Sequence, residues 1–216
     1  DVPTARRYYE EALSADPNSP LPLLRLGVME IKAGKPEQAV ELLQRADRVY
    51  PDNGEISYYL GLALRQVGRR KEAKAAFWLA RLDPHYSALG RYQLGVMEAG
   101  LGNAEVALEH FREASDHEDI GAPEWIAMSV TLRALSRNQE ASQLLDTIQE
   151  ADPLNLLASC ERALVDEALD LDATPRWQYL KDLVRDEPQT WLELSTFYGG
   201  LGYNVTAMRL VDLSLS

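Results

Sequence analysis

The chain has little of what catalysis, membranes or nucleic acids draw on. Its 216 residues hold one cysteine, Cys160, so no disulfide framework forms within it; a reducing, cytoplasmic compartment is expected. There are three histidines and no serine–histidine–aspartate arrangement that the sequence brings together. No apolar run approaches the roughly 18 residues of a membrane span. Basic residues are outnumbered, 22 against 34 acidic, for a net charge of −12. That balance argues against nucleic acid and anionic lipid, both of which need a basic footprint. Neutral or basic protein partners suit it better. Apolar residues are not scarce, at 46%, so a core can form.

What the chain has in quantity is repetition. Ala5, Ala39, Ala73, Ala107 and Ala141 stand 34 residues apart. A second series runs Tyr9, Leu43, Phe77, Phe111, Leu145, and a third Ala12, Ala46, Ala80, Ala114, Ile148. Within Arg69–Pro84, Ala73, Phe77 and Ala80 fall at helical spacing on one face. A small residue recurs ahead of each such helix, at Gly27, Gly61, Gly95, Ser129 and Ala163. Glycines at 34, 68 and 102 then end the first helix of each pair. A fixed period of this length marks a repeat array. Small residues where two helices cross let the backbones approach, and large neighbours fill the space.

These residues resemble the tetratricopeptide repeat: an aromatic or Leu, a Leu and a small residue, then Ala, an aromatic, Ala and Pro. Trp125, Met128, Ser129, Leu132, Ala141 and Pro153 follow the pattern well. The resemblance implies an all-α fold without sheet, a right-handed superhelix (α-solenoid) of about six hairpins and about thirteen helices. Read along the period, 1–18 is a half repeat, 19–52, 53–86, 87–120 and 121–153 are regular, 154–187 is degenerate and 188–216 is a truncated last repeat. The period breaks at Pro175, where alanine is due, and resumes two residues early at Trp191, so the loop at 170–175 should differ. Both ends are cut inside a repeat, which leads us to expect a piece of a longer protein that self-associates through its uncovered first helix.

A narrower resemblance lies in AFWLARLDPHYSALGRYQLG, in Glu105–Phe111 and in DEPQTWLELSTFYGGLG. They are similar to the helical tails of large bacterial proteins that carry a β-sandwich domain suspected of acting on carbohydrate. This implies an alternative role, docking or dimerising a larger enzyme.

The candidates for chemistry weigh little. His110, Glu113 and His117 share a helical face, a spacing that suits a divalent metal, but acidic neighbours read more simply as a solvated face; no metal is expected. The glycines at Gly100–Gly102 and Gly199–Gly202 lack the preceding strand of a phosphate loop and fit turns. Asn204-Val-Thr206 spells a glycosylation sequon, yet it opens a helix, where Asn caps well. Cys160 has no histidine nearby and reads as a packing residue. Glu30 and Glu98, both in the words LGVME, stand where Tyr or Leu is usual. We expect their carboxylates to reach solvent, since a buried one needs a partner or a proton.

The resemblance places function in the concave groove lined by first helices. Mapped here, that lining is Leu24, Val28, Tyr58, Tyr59, Leu62, Tyr92, Val96, Ile126 and Val130, with Arg65 and Arg133 one turn on. Slots that hold a carboxylate clamp in some members hold Leu24, Val28, Tyr59 and Gln93, so that clamp is absent. A tyrosine-rich groove with two arginines suits an extended or helical peptide. The expectation is a scaffold that binds protein or peptide, with no catalysis and no cofactor. The competing reading is that Tyr58 and Tyr92 are packing residues.

Overall fold

The structure, a computed structural model, describes residues 2–115, 123–184 and 187–214. These residues form thirteen helices and no strand: α1 (Val2–Ala15), α2 (Pro20–Lys32), α3 (Pro36–Val49), α4 (Gly54–Gln66), α5 (Arg70–Ala80), α6 (Ser87–Ala99), α7 (Ala104–Ala114), α8 (Pro123–Ala134), α9 (Asn138–Ala151), α10 (Leu156–Ala168), α11 (Thr174–Val184), α12 (Pro188–Gly200) and α13 (Asn204–Ser214). The chain divides into two compact units, residues 1–93 and 94–216.

Local chemistry sets the helix ends. The Asn53 side chain accepts from the Ile56 amide at 3.0 Å and Asn155 from Ala158 at 2.9 Å, satisfying amides that a helix start leaves orphaned. Proline opens α2, α3 and α12, where no amide is needed. The first helices stop on a left-handed residue. Gly34, Gly68 and Gly102 have φ of 70°, 80° and 81°, and the period continues through Ser136 at 59° and Asp170 at 57°. Each is followed by the same bond back across the turn, for example Arg69 N to Leu64 O at 2.8 Å and Leu171 N to Asp166 O at 2.9 Å. Serine and aspartate thus keep the turn despite the steric cost of a Cβ there.

Packing follows the three series. Ala39, Ala73, Ala107 and Ala141 are wholly buried, as are Leu43, Phe77, Phe111 and Leu145. The glycines before them answer to the large residues: a Cβ on Gly27 would lie 2.6 Å from Leu43 Cγ. On Gly61 or Gly95 it would lie 2.5 Å from Cε1 of Phe77 or Phe111. The first members differ, with Ala5, Tyr9 and Ala12 half-buried on α1.

The degenerate repeat keeps its two helices but changes their join. Residues 169–173 connect α10 to α11, where 33–35 and 67–69 suffice for α2–α3 and α4–α5. The buried position also slips by one. Position 179 is next in the aromatic series, yet Tyr179 is half exposed and Leu180 is buried instead.

Glu30 and Glu98 correct the expectation of solvent. Both are 4% exposed. Arg6 of α1 donates to Glu30 Oε1 at 2.5 Å, pinning α1 to α2, and Asn103 donates to Glu98 Oε2 at 2.7 Å. Each carboxylate is buried because a partner arrives from the adjoining helix or turn. Among the described residues no helix is long and apolar enough to cross a membrane.

Candidate functional site

In residues 1–93 the groove positions make a half-buried aromatic surface. Val28, Tyr58, Tyr59, Leu62, Arg65 and Tyr92 are all half-buried, while Leu24 is buried at 4% exposure. Tyr58 is the centre. Its ring lies 5.3 Å from Tyr59, 5.7 Å from Tyr86 and 6.1 Å from Phe77. Part of the packing reading therefore holds: Tyr58 braces the core through Phe77 and is half-buried. Burial pushes its hydroxyl pKa up, against a hydrogen bond with Gln93 that pulls it down. Tyr86 is pushed up to about 12 by burial and the nearby Glu55 charge.

Two arginines cross between first helices here. Arg25 Nη1 meets Glu55 Oε1 at 2.7 Å. Arg65 Nη1 donates to Gln93 Oε1 at 2.6 Å, and Gln93 is itself buried. Burial lowers the Arg65 pKa, and the tyrosines beside it, Tyr58 and Tyr92, offset this only where they ionise. Among the described residues Arg65 has no ion pair.

Residues 94–216 treat the equivalent positions differently. Ile126 and Val130 are fully buried and Val96 is 7% exposed, so these three do not present a surface as expected of groove positions. The mapping gave their helical face but not what covers it. Arg133 is engaged as well. Its Nε donates to Glu161 Oε1 at 2.7 Å and its Nη2 to Oε2 at 3.2 Å, while Tyr198 donates to Oε2 at 2.9 Å. Glu161 is wholly buried, which raises its pKa, and Arg133 and Tyr198 pull it back. Burial works against the Arg133 charge, but Glu161 outweighs it and holds the guanidinium above its ordinary pKa. Cys160 is buried and its thiol is pushed up to about 12, which leaves it without thiolate reactivity.

Sequence reading missed this arginine–glutamate–tyrosine group, although a signal was present. Arg133 and Glu161 stand at the same spacing as Arg65 and Gln93. It also missed a cleft of about 510 Å³ where the degenerate repeat loosens, lined by Gln149, Ser159, Asp166, Leu171, Arg176 and Tyr179 among others. Arg176 bonds Asp166 on its wall. Of the metal candidates, His117 lies outside the described residues; among those described, no three ligating side chains cluster.

The geometry agrees with comparisons to known proteins. A family model described as tetratricopeptide repeat matches residues 1–49 and 30–89. No curated protein matches in sequence. Several solved structures share the fold. The C-terminal part of a TPR repeat-containing protein from Cytophaga hutchinsonii has TM-score 0.70 and 15% identity, over 97% of this chain and 88% of that one. MamA from Desulfovibrio magneticus RS-1 has TM-score 0.66 and 16% identity, over 76% and 94%. YrrB, described as a TPR protein with an unusual peptide-binding site, has TM-score 0.65 and 16% identity, over 83% and 93%.

Proposed function

We propose that the chain is a non-catalytic scaffold that binds a peptide in the groove of residues 1–93: a tetratricopeptide-repeat model matches its first 89 residues, and its fold is shared with solved tetratricopeptide proteins. One observation carries the choice of site. The tyrosines of α4 and α6 and Arg65 remain partly exposed, and Arg65 has no ion pair among the described residues, whereas Ile126 and Val130 are fully buried and Arg133 is paired with Glu161. Tyrosine and arginine are the side chains that most often carry interface energy, because each joins a large contact area to a hydrogen-bonding tip.

The test is a titration of peptides selected from a random library. Tyr58→Ala is a poor probe alone, because it removes a ring from the core. Leu62→Arg blocks the groove with bulk and takes no aromatic contact away. Loss of binding by Leu62→Arg, with an unchanged melting temperature, supports the groove; unchanged affinity overturns it. A second reading, docking onto another copy or another domain, draws on the half-buried Ala5, Tyr9 and Ala12 face of α1. Light scattering over a concentration series tests it, and a monomer throughout removes the copy.

A further inference from the structure

Two of the cross-helix arginine bridges, those of Arg65 and Arg133, are copies of one device, and one copy is incomplete. Arg65 and Arg133 lie 68 residues apart, two periods, and so do their partners Gln93 and Glu161. In the complete copy the guanidinium grips a carboxylate with two bonds, and a tyrosine hydroxyl donates to the same carboxylate. In the other copy a neutral amide stands in the carboxylate's place. It takes a single bond of 2.6 Å from Arg65, and the Tyr58 hydroxyl lies near enough to Gln93 for its pKa to feel the amide.

The consequence is electrostatic. Arg65 is a half-buried cation among tyrosines in a chain of net charge −12, with no carboxylate paired to it among the described residues. Desolvating a cation is costly unless an anion meets it. The Arg133 site shows which ligand fits such a setting: a carboxylate held by the guanidinium fork and a phenol.

We propose that Arg65 anchors an acidic side chain, a glutamate or aspartate, of a partner peptide lying across α4 and the first half of α6. The inference rests on the groove reading above and gives it a chemistry: the partner is acidic at one position and apolar or aromatic beside it, to cover Leu62 and Tyr59. Local pairing of this kind overrides the chain's negative field, because the Arg65 charge is partly shielded from water.

The test uses peptides selected from a random library against the intact chain, resynthesised with each acidic residue replaced by its amide. Selected peptides are expected to be rich in Glu or Asp, and the Glu→Gln peptide to bind at least about tenfold more weakly. Arg65→Gln should erase that difference. Gln93→Glu should erase it too, by copying Glu161 into the site, while the melting temperature holds or rises. Because Gln93→Glu removes no cation, it carries the test if Arg65→Gln fails to fold. Peptides that depend on Leu62 but show no acidic preference overturn the Arg65 assignment and leave the groove standing. Peptides indifferent to Leu62→Arg, or no selected peptide at all, overturn both.

Discussion

Helices α4 to α7 and helices α10 and α11 solve the same packing problem by opposite means. In the regular pairs a glycine faces a phenylalanine, Gly61 with Phe77 and Gly95 with Phe111, so tightly that a Cβ has no room. The crossing is apolar and steric. Ser57 is the one polar side chain among the buried residues of α4, and α6 adds Gln93 and Glu98. In α10 the buried set includes Ser159, Glu161, Arg162 and Asp166. Arg162 reaches back to Ser142, Gln149 and Asp146 of α9. Arg176 of α11 pairs with Asp166, and Trp177 and Arg209 converge on Glu167. Where the small–large pairing lapsed, long cationic side chains fill the irregular space and bring their own hydrogen bonds. The trade is physical: an apolar crossing needs exact volumes, while a charged one tolerates misfit but must satisfy every group it buries.

The largest effect should come from breaking the charged solution at its most buried point. Glu161→Leu leaves Arg133, only 18% exposed in its side chain, facing no anion, and leaves the Tyr198 hydroxyl without its acceptor. A loss of about 3–5 kcal/mol is expected, the usual cost of orphaning one partner of a buried pair. Urea unfolding followed by tryptophan fluorescence measures it. The double variant Glu161→Leu/Arg133→Met should regain most of the loss. If it does not, the group matters for shape and not for charge.

Next in size is the steric solution. Gly61→Ala and Gly95→Ala each place a methyl within 2.5 Å of a phenylalanine ring carbon. Each should cost about 1–3 kcal/mol through overpacking. Ala73→Leu and Ala107→Leu, at fully buried sites, should behave alike. The sharper experiment is Gly61→Ala with Phe77→Leu, the pairing of a smaller ring of atoms with a larger floor. Partial rescue in a thermal melt would show that the two residues meet; additive losses would show that they do not.

The two solutions differ in how well the sequence displays them. A steric crossing repeats with the chain, so its alanines, aromatics and glycines stand at a constant interval and the helix pairs can be read off. The glycine turns are as legible, but Ser136 and Asp170 take the same left-handed backbone with no glycine to announce it. Glu30 and Glu98 were not legible. Their partners, Arg6 and Asn103, stand at different sequence distances, one on a preceding helix and one in the following turn. The slip from Tyr179 to Leu180 was hidden for a related reason. A period can announce that it has broken but not how the helix will settle. Of the groove positions, Tyr58, Tyr59, Tyr92 and Arg65 are half-buried while Ile126 and Val130 are fully buried, a difference that no period encodes.

A smaller effect is expected at the break itself. Pro175 stands where the alanine series calls for Ala, so Pro175→Ala tests whether the lost letter caused the lost packing. In the structure Pro175 lies in the first turn of α11, where proline costs nothing. The buried position is already held by Leu180. Restoring alanine should not restore the crossing. It should destabilise by about 0.4–1 kcal/mol by loosening the unfolded chain. Stabilisation instead would mean that proline alone forced the polar packing.

The smallest effect marks the limit of what charge does here. Arg69 grips Glu72 with two short bonds, Nε to Oε1 at 2.7 Å and Nη2 to Oε2 at 2.5 Å. Arg137 grips Glu140 in the same way, two periods on, at 2.7 and 2.6 Å. By geometry these pairs rival Arg133 with Glu161. By setting they do not, because both lie at exposed helix starts, where water and salt screen the attraction and held side chains lose rotamer freedom. Glu72→Gln should therefore leave the unfolding midpoint unmoved at physiological salt, and Glu140→Gln likewise. The Glu72 carboxyl still titrates below its ordinary range, through its hydrogen bond to Arg69, so NMR titration can confirm that the pair forms in solution. A formed pair with no stability change, beside a large loss at Glu161, would locate the difference in burial. A comparable loss at Glu72 would show that bidentate geometry itself holds these helices, and the contrast between the two packing solutions would fail.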